Sequence, residues 1–207
     1  MSIFSRTKAI NQEAWSENHP DFGLVSFSRN RKYRQLRLSV VPFQGLQVKI
    51  PNGFTKRNVQ LFLKQKSSWI LGALDQVRQT EQISRQFYAE QPSTAQSEIR
   101  KSLFQRLDHL ADFHNFNYNK VSLRDQKSRW GSCSAKNNIS LNQKLFYLPD
   151  HLRDYVLIHE LAHTLQKNHS KKFWDIVNDR YGKGETKLAR AELKTFEFLF
   201  YPPPNQI

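Results

Sequence analysis

Tyr155-Val156-Leu157-Ile158-His159-Glu160-Leu161-Ala162-His163 is apolar on nearly every side of a helix, yet it carries two histidines and a glutamate. With Asp150 as cap and Leu152 joining the apolar set, the pattern predicts a buried helix from Asp150 to about Lys167. Residues four apart in a helix lie about 40° apart around its axis, so His159 and His163 face one point. That spacing suits a shared metal ion, and a glutamate beside the first histidine is placed to act on a water molecule. A histidine and a glutamate buried in such a helix are costly without partners. Zinc accepts neutral imidazole nitrogen, and three protein ligands leave a fourth position for water whose pKa falls to about 7. The expectation is a zinc-dependent hydrolase with Glu160 as general base; nickel and other divalent ions also suit imidazole ligands.

The third ligand needs a break in the helix. His169 follows His163 by six residues, which on a continuous helix would turn it about 240° away from the ion. Asn168 can take the left-handed conformation that closes a helix, and Ser170 can cap the next one, leaving His169 on the reversal. Glu185 and Glu192 are the alternatives, since some zinc peptidases take a carboxylate from a later helix. Metzincins are excluded: Gln166 stands where their glycine belongs, and the only methionine is Met1.

Working outward, the chain reads as α+β. Residues 1–20 form a polar lead-in with weak structure. Alternation over residues 22–28, 33–41 and 46–50 predicts a small antiparallel β-meander. Thr55 is placed to cap one helix carrying Val59, Phe62, Leu63, Trp69, Ile70, Leu74 and Val77. Pro92 and its neighbours mark a connection, and Ile99, Leu103, Leu107 and Leu110 define another helix ending near Asn115. Residues 121–125, 138–141 and 145–148 read as short strands around a loop containing Gly131. A helix after Ser170 is broken at Gly182 and Gly184, and a last helix runs over residues 186–200. One domain over residues 21–200 follows, with the meander and its helix in 21–92, a catalytic region in 93–200, and a Pro-rich tail in 201–207.

Composition narrows the setting. No apolar run reaches the roughly 20 residues a membrane helix needs, and residues 1–15 lack the apolar core of a secretory signal. Cys133 is the only cysteine, so no intramolecular disulfide forms and a reducing, cytoplasmic location is expected. Thirty-two Lys and Arg against 18 Asp and Glu give a net charge of +14, a field that favours polyanions. Arg29, Arg31, Lys32, Arg34 and Arg37, with Tyr33 among them, are the candidate nucleic-acid contacts; on a strand, Arg31, Tyr33 and Arg37 would share one face.

The sequence resembles the YgjP-like metal-dependent hydrolases, minigluzincin-type metallopeptidases related to the SprT and Wss groups. The resemblance is carried by Arg129-Trp130-Gly131-Ser132-Cys133-Ser134, Asn138-Ile139-Ser140-Leu141-Asn142, the stretch from Tyr155 to His163, and Asn168-His169-Ser170-Lys171-Lys172-Phe173-Trp174. It implies His159, His163 and His169 as metal ligands and Glu160 as the catalytic residue. It also implies a zincin-like region in which a strand near residues 128–134 or 138–141 flanks a cleft, where a peptide adds as an extra strand. Arg129, Trp130 and Gly131 are the candidate substrate-binding residues, Arg129 facing an oxyanion or a substrate carboxylate. The favoured activity is amide-bond hydrolysis in a peptide or protein. The rivals are a metal-dependent hydrolase or protease working at nucleic acid and a metal-binding module without activity. Oligomeric state is not legible.

Overall fold

The computed structural model describes residues 12–91 and 94–204. It divides into two compact units, one built from described residues up to Gln86 and the other spanning Phe87–Pro202. Both mix helix and sheet, as the α+β reading expects. No helix among the described residues is long and apolar enough to cross a membrane.

The first unit holds β1 (Gln12–His19), β2 (Gly23–Asn30), β3 (Arg37–Val41) and β4 (Gly45–Ile50). The spatial order is β1-β2-β4-β3. β1 with β2 and β3 with β4 are antiparallel, whereas β4 inserts between β2 and β3 and runs parallel to β2. This departs from a meander for a packing reason. Leu46, Val48 and Ile50 make β4 the most deeply buried strand, while Arg37 and Ser39 leave β3 suited to an edge. Residues 12–19, expected in the weakly structured lead-in, form the other edge strand, with Trp15 stacked on Phe27 at 5.2 Å. Residues 1–11 of that lead-in and 205–207 of the tail lie outside the described residues. The strand expected from residue 33 begins only at Arg37, because Asn30 turns the chain: its side chain accepts from Lys32 N (2.9 Å) and its carbonyl from Tyr33 N (3.1 Å).

Thr55 caps α1 (Lys56–Gln65) as expected, in a reciprocal box with Asn58. The single helix expected beyond it is two. Lys66 leaves helical geometry and α2 (Ser67–Glu90) starts afresh, so that Val59 and Leu63 of α1 and Ile70 and Leu74 of α2 enter one core with Val25, Phe27 and Leu46.

The second unit contains α3 (Gln96–His114), β5 (Lys120–Arg124), β6 (Gly131–Cys133), β7 (Asn138–Asn142), α4 (Asp150–Ala162), α5 (Lys171–Tyr181) and α6 (Glu185–Leu193). Its sheet has the order β5-β7-β6, with β5 parallel and β6 antiparallel to β7. Asn115, left-handed at φ 56°, ends α3. Residues 145–148, expected as strand, belong largely to a 3-10 turn over Gln143–Tyr147, and the last expected helix finishes as 3-10 over Lys194–Phe200. Short apolar runs do not separate these geometries by periodicity.

α4 is the central element, packed on α3, α5, α6 and β6. Leu152, Leu157 and Leu161 are wholly buried, and Arg106 of α3 grips Asp154 through two nitrogens, the first at 2.7 Å. The helix stops at Ala162, well before Lys167. There the backbone and hydroxyl of Thr164 both donate to the Leu161 carbonyl, closing the turn early. Leu157→Ala would remove a fully buried side chain from this centre; chemical denaturation is expected to show a loss of about 2–5 kcal/mol, and a loss below about 1 kcal/mol would contradict that packing.

Candidate metal centre

His159 lies in the last turn of α4 and His163 caps it, still with helical backbone angles. The chain then reverses over residues 163–169 without a left-handed residue: Asn168, expected to supply one, instead accepts hydrogen bonds through Oδ1 from Gln166 Nε2 (2.8 Å) and Ser170 N (3.3 Å). Ser170 is the N-cap of α5 by position, although its hydroxyl makes no capping bond. The reversal carries His169 back until its Nε2 is 3.1 Å from Nε2 of His159. One ligand-capable nitrogen from each of His159, His163 and His169 lies within 4.8 Å of the others, and this is the one such group among the described residues. Glu185 and Glu192 are outside it; the Glu192 carboxylate meets His151 at 3.0 Å.

Aromatic rings wall the cluster. Phe173, fully buried, stacks on His163 at 4.4 Å and meets His159 and His169 edge-on at 4.8 Å each, while Trp174 lies nearly parallel to His169 at 5.6 Å. Burial lowers the pKa of His159 to about 3, with His163 and His169 adding to the effect. Burial also lowers His163, against the Gln166 carbonyl that contacts its Nδ1 at 3.0 Å. Both rings are therefore neutral at pH 7. A proton on Nδ1 of His163 leaves Nε2 as a lone pair, the arrangement a metal-binding histidine takes.

These features fit a cation. The 3.1 Å separation is near the roughly 3.3 Å expected between two nitrogens on a tetrahedral zinc. Nε2 of His159 is thus the nitrogen turned to the cluster, while its Nδ1 and Glu160 Oε2 are buried with no hydrogen-bond partner.

Glu160 is 6% exposed, and burial pushes its carboxyl up to about 8 against the positive charge of Arg129. Its position depends on Gly131. A Cβ at residue 131 would lie 2.7 Å from Glu160 Cγ and 2.9 Å from Oε1, so β6 can pass over the carboxyl only without a side chain there. Arg129 is exposed, close enough for its charge to act on Glu160, and Trp130 packs on Phe200 at 4.5 Å.

Two positioning residues were not singled out by sequence reasoning. Asn142, wholly buried, donates through Nδ2 to the carbonyls of Gln126 and Arg129 at 2.8 Å each, and its backbone N donates to Trp130 O. Buried Lys144 pairs with Asp125. Together they hold the loop that delivers Arg129 and Gly131. The available signal was the polar run Asn142-Gln143-Lys144 set between apolar Leu141 and Leu145.

The proposed nucleic-acid residues lie in the first unit and are not one strand face. Arg29 points to the inner face of β2 and pairs with Glu13 at 3.5 Å; Arg31, Lys32 and Arg34 sit in the loop before β3; Arg37 starts β3.

A family model described as YgjP-like, metallopeptidase domain, matches residues 93–196, half of the 207-residue chain. Among solved structures, the chain is similar to the metallopeptidase zymogen abylysin of Pyrococcus abyssi, with 28% identity over 45% of this chain and 93% of that one, at a TM-score of 0.42. It is also similar to the metallopeptidase zymogen jannalysin of Methanocaldococcus jannaschii, with 20% identity over 45% and 95%, at a TM-score of 0.41. No curated protein matches.

The Gly131–Glu160 contact can be measured. Gly131→Ala is expected to cost about 1–3 kcal/mol through overpacking, and much of that cost should vanish in the Gly131→Ala/Glu160→Ala double variant. Additive losses in denaturation would place the strain elsewhere.

Proposed function

This chain belongs to the YgjP-like metallopeptidase family, and on that premise we propose that it is a zinc peptidase in which His159, His163 and His169 hold the ion and Glu160 is the general base. It is a metal-dependent hydrolase by family; zinc, the ligand set and the residue roles are the proposal. The observation that carries it is the convergence of three imidazole nitrogens, within 4.8 Å of one another, beside a buried carboxyl. Zinc bound there would supply Lewis acidity, polarising a carbonyl and lowering the pKa of a water to about 7.

The chain's own residues do the rest. Glu160, buried next to His159 in the chain, in its ionised form takes a proton from the attacking water and returns it to the leaving amine. Burial keeps His159 and His163 neutral, which leaves their nitrogens available as ligands. The guanidinium of Arg129 stabilises negative charge developing on the carbonyl oxygen or binds a substrate carboxylate. β6 is an edge strand of its sheet, so an extended peptide adds beside it along Trp130 and Gly131, with backbone hydrogen bonds fixing its register. A peptide or protein substrate follows.

Metal analysis by mass spectrometry of protein purified without a metal-affinity tag tests the ligand set. The native chain and Glu185→Ala should carry near-stoichiometric zinc, and His169→Ala should lose it. Glu160→Gln should keep the metal while peptide hydrolysis falls by roughly 100-fold or more. Zinc retained in His169→Ala and lost in Glu185→Ala would move the third ligand to α6.

A further inference from the structure

The outer face of the first unit's sheet concentrates positive charge in one hollow. Arg37 of β3 and Lys49 of β4 are directly opposite in the antiparallel register, and both are exposed on the face away from the core. Like charges so placed destabilise a sheet. The turn at Asn30 folds the preceding loop back over that face, bringing the Tyr33 hydroxyl to 3.4 Å from Ser28 Oγ and the Lys49 ammonium to 5.8 Å from the Tyr33 ring. Lys32, Tyr33, Arg34, Gln35, Arg37 and Lys49 line a concavity of about 370 Å³ with no carboxylate among them. Among the described residues, the ion pairs of this unit, His19–Asp21, Arg29–Glu13 and Lys56–Glu17, take in none of these four cations. Glu13 and Glu17 lie on the opposite, inner face with Trp15, in register with Arg29 and Val25.

Four cations lining one hollow with no carboxylate paired to them among the described residues repel one another, and a bound polyanion offsets that repulsion. We propose that this hollow is a docking site for single-stranded nucleic acid, with Lys32, Arg34, Arg37 and Lys49 on successive phosphates and Tyr33 under a base. A recessed ring favours a single strand, whose bases are free to stack, over a duplex, which offers only phosphates to the rim. With its amide turned so that the oxygen faces Arg37, Gln35 accepts from the guanidinium Nε and Nη2 at 3.1 and 3.3 Å. The inference is independent of the peptidase reading, since it uses neither the histidine cluster nor hydrolysis.

Fluorescence anisotropy of the full chain with a labelled oligothymidylate of about 15 nucleotides tests it. Binding is expected to weaken with salt at a log–log slope of roughly −3, as for four phosphate contacts on a single strand. Arg37→Gln/Lys49→Gln should weaken it about tenfold or more while leaving thermal stability equal or higher, because a like-charge pair has been removed. Tyr33→Ala should weaken it by about fivefold or more without altering the salt slope. Lys101→Gln/Lys187→Gln, which removes the same charge from exposed positions of the second unit, should leave binding within about twofold. The site is refuted if this control pair weakens binding as much as the hollow variants, if duplex or heparin binds as tightly with no dependence on Tyr33, or if no binding appears at low salt.

Discussion

The side chain of Glu160 rests on a stretch of backbone that has no Cβ, and this contact sets the terms for the surrounding unit. Taking a carboxyl out of water costs several kcal/mol unless it is neutralised or paired. Burial accordingly raises the Glu160 carboxyl to about 8, and the positive charge of Arg129 opposes the rise. The strand above it must then be held by something other than Glu160. Asn142, at the end of β7, and the Lys144–Asp125 pair do this, tying down the loop that ends in Gly131.

The three imidazoles are arranged by a different means. Phe173 touches all of them, so one ring from α5 sets their mutual tilt. Low dielectric keeps the rings neutral, and neutral nitrogen is the form that binds a transition metal. Packing and ligand chemistry therefore point the same way. An apolar wall that merely filled space would not also need two nitrogens facing each other at 3.1 Å.

Much of this was legible because helical periodicity is a strong local signal. The burial of α4, the i, i+4 placement of His159 and His163, the reversal that recruits His169, the Thr55 cap and the Asn115 stop all follow from residues within a turn or two of each other. The less legible features were non-local. β4 slips between β2 and β3 with Leu46, Val48 and Ile50 fully buried, a placement settled by pairing between strands that no single strand reveals. β1 hides its strand character because its inner face alternates Glu13, Trp15 and Glu17. Asn142 reads as an ordinary polar residue until the carbonyls of residues 126 and 129, more than a dozen positions away, are brought to it. The helix break at Lys66 and the early stop at Ala162 are boundary effects, the first bringing both helices into one core and the second set by the Thr164 bonds to Leu161.

The reversal over residues 163–169 also bears on the order in which the centre assembles. His159, His163 and His169 span eleven consecutive residues, so bringing them together closes only a short loop and costs little chain entropy. Glu160 acquires its surroundings only when Gly131, 29 positions upstream, has been folded onto it as part of a sheet. The imidazole cluster is thus a product of local contacts and the placement of the carboxyl a product of long-range ones. Under the proposed roles, the ligands for an ion and the base that acts on its water depend on contacts of different range, and a change in the sheet that displaces Gly131 would disturb the second before the first.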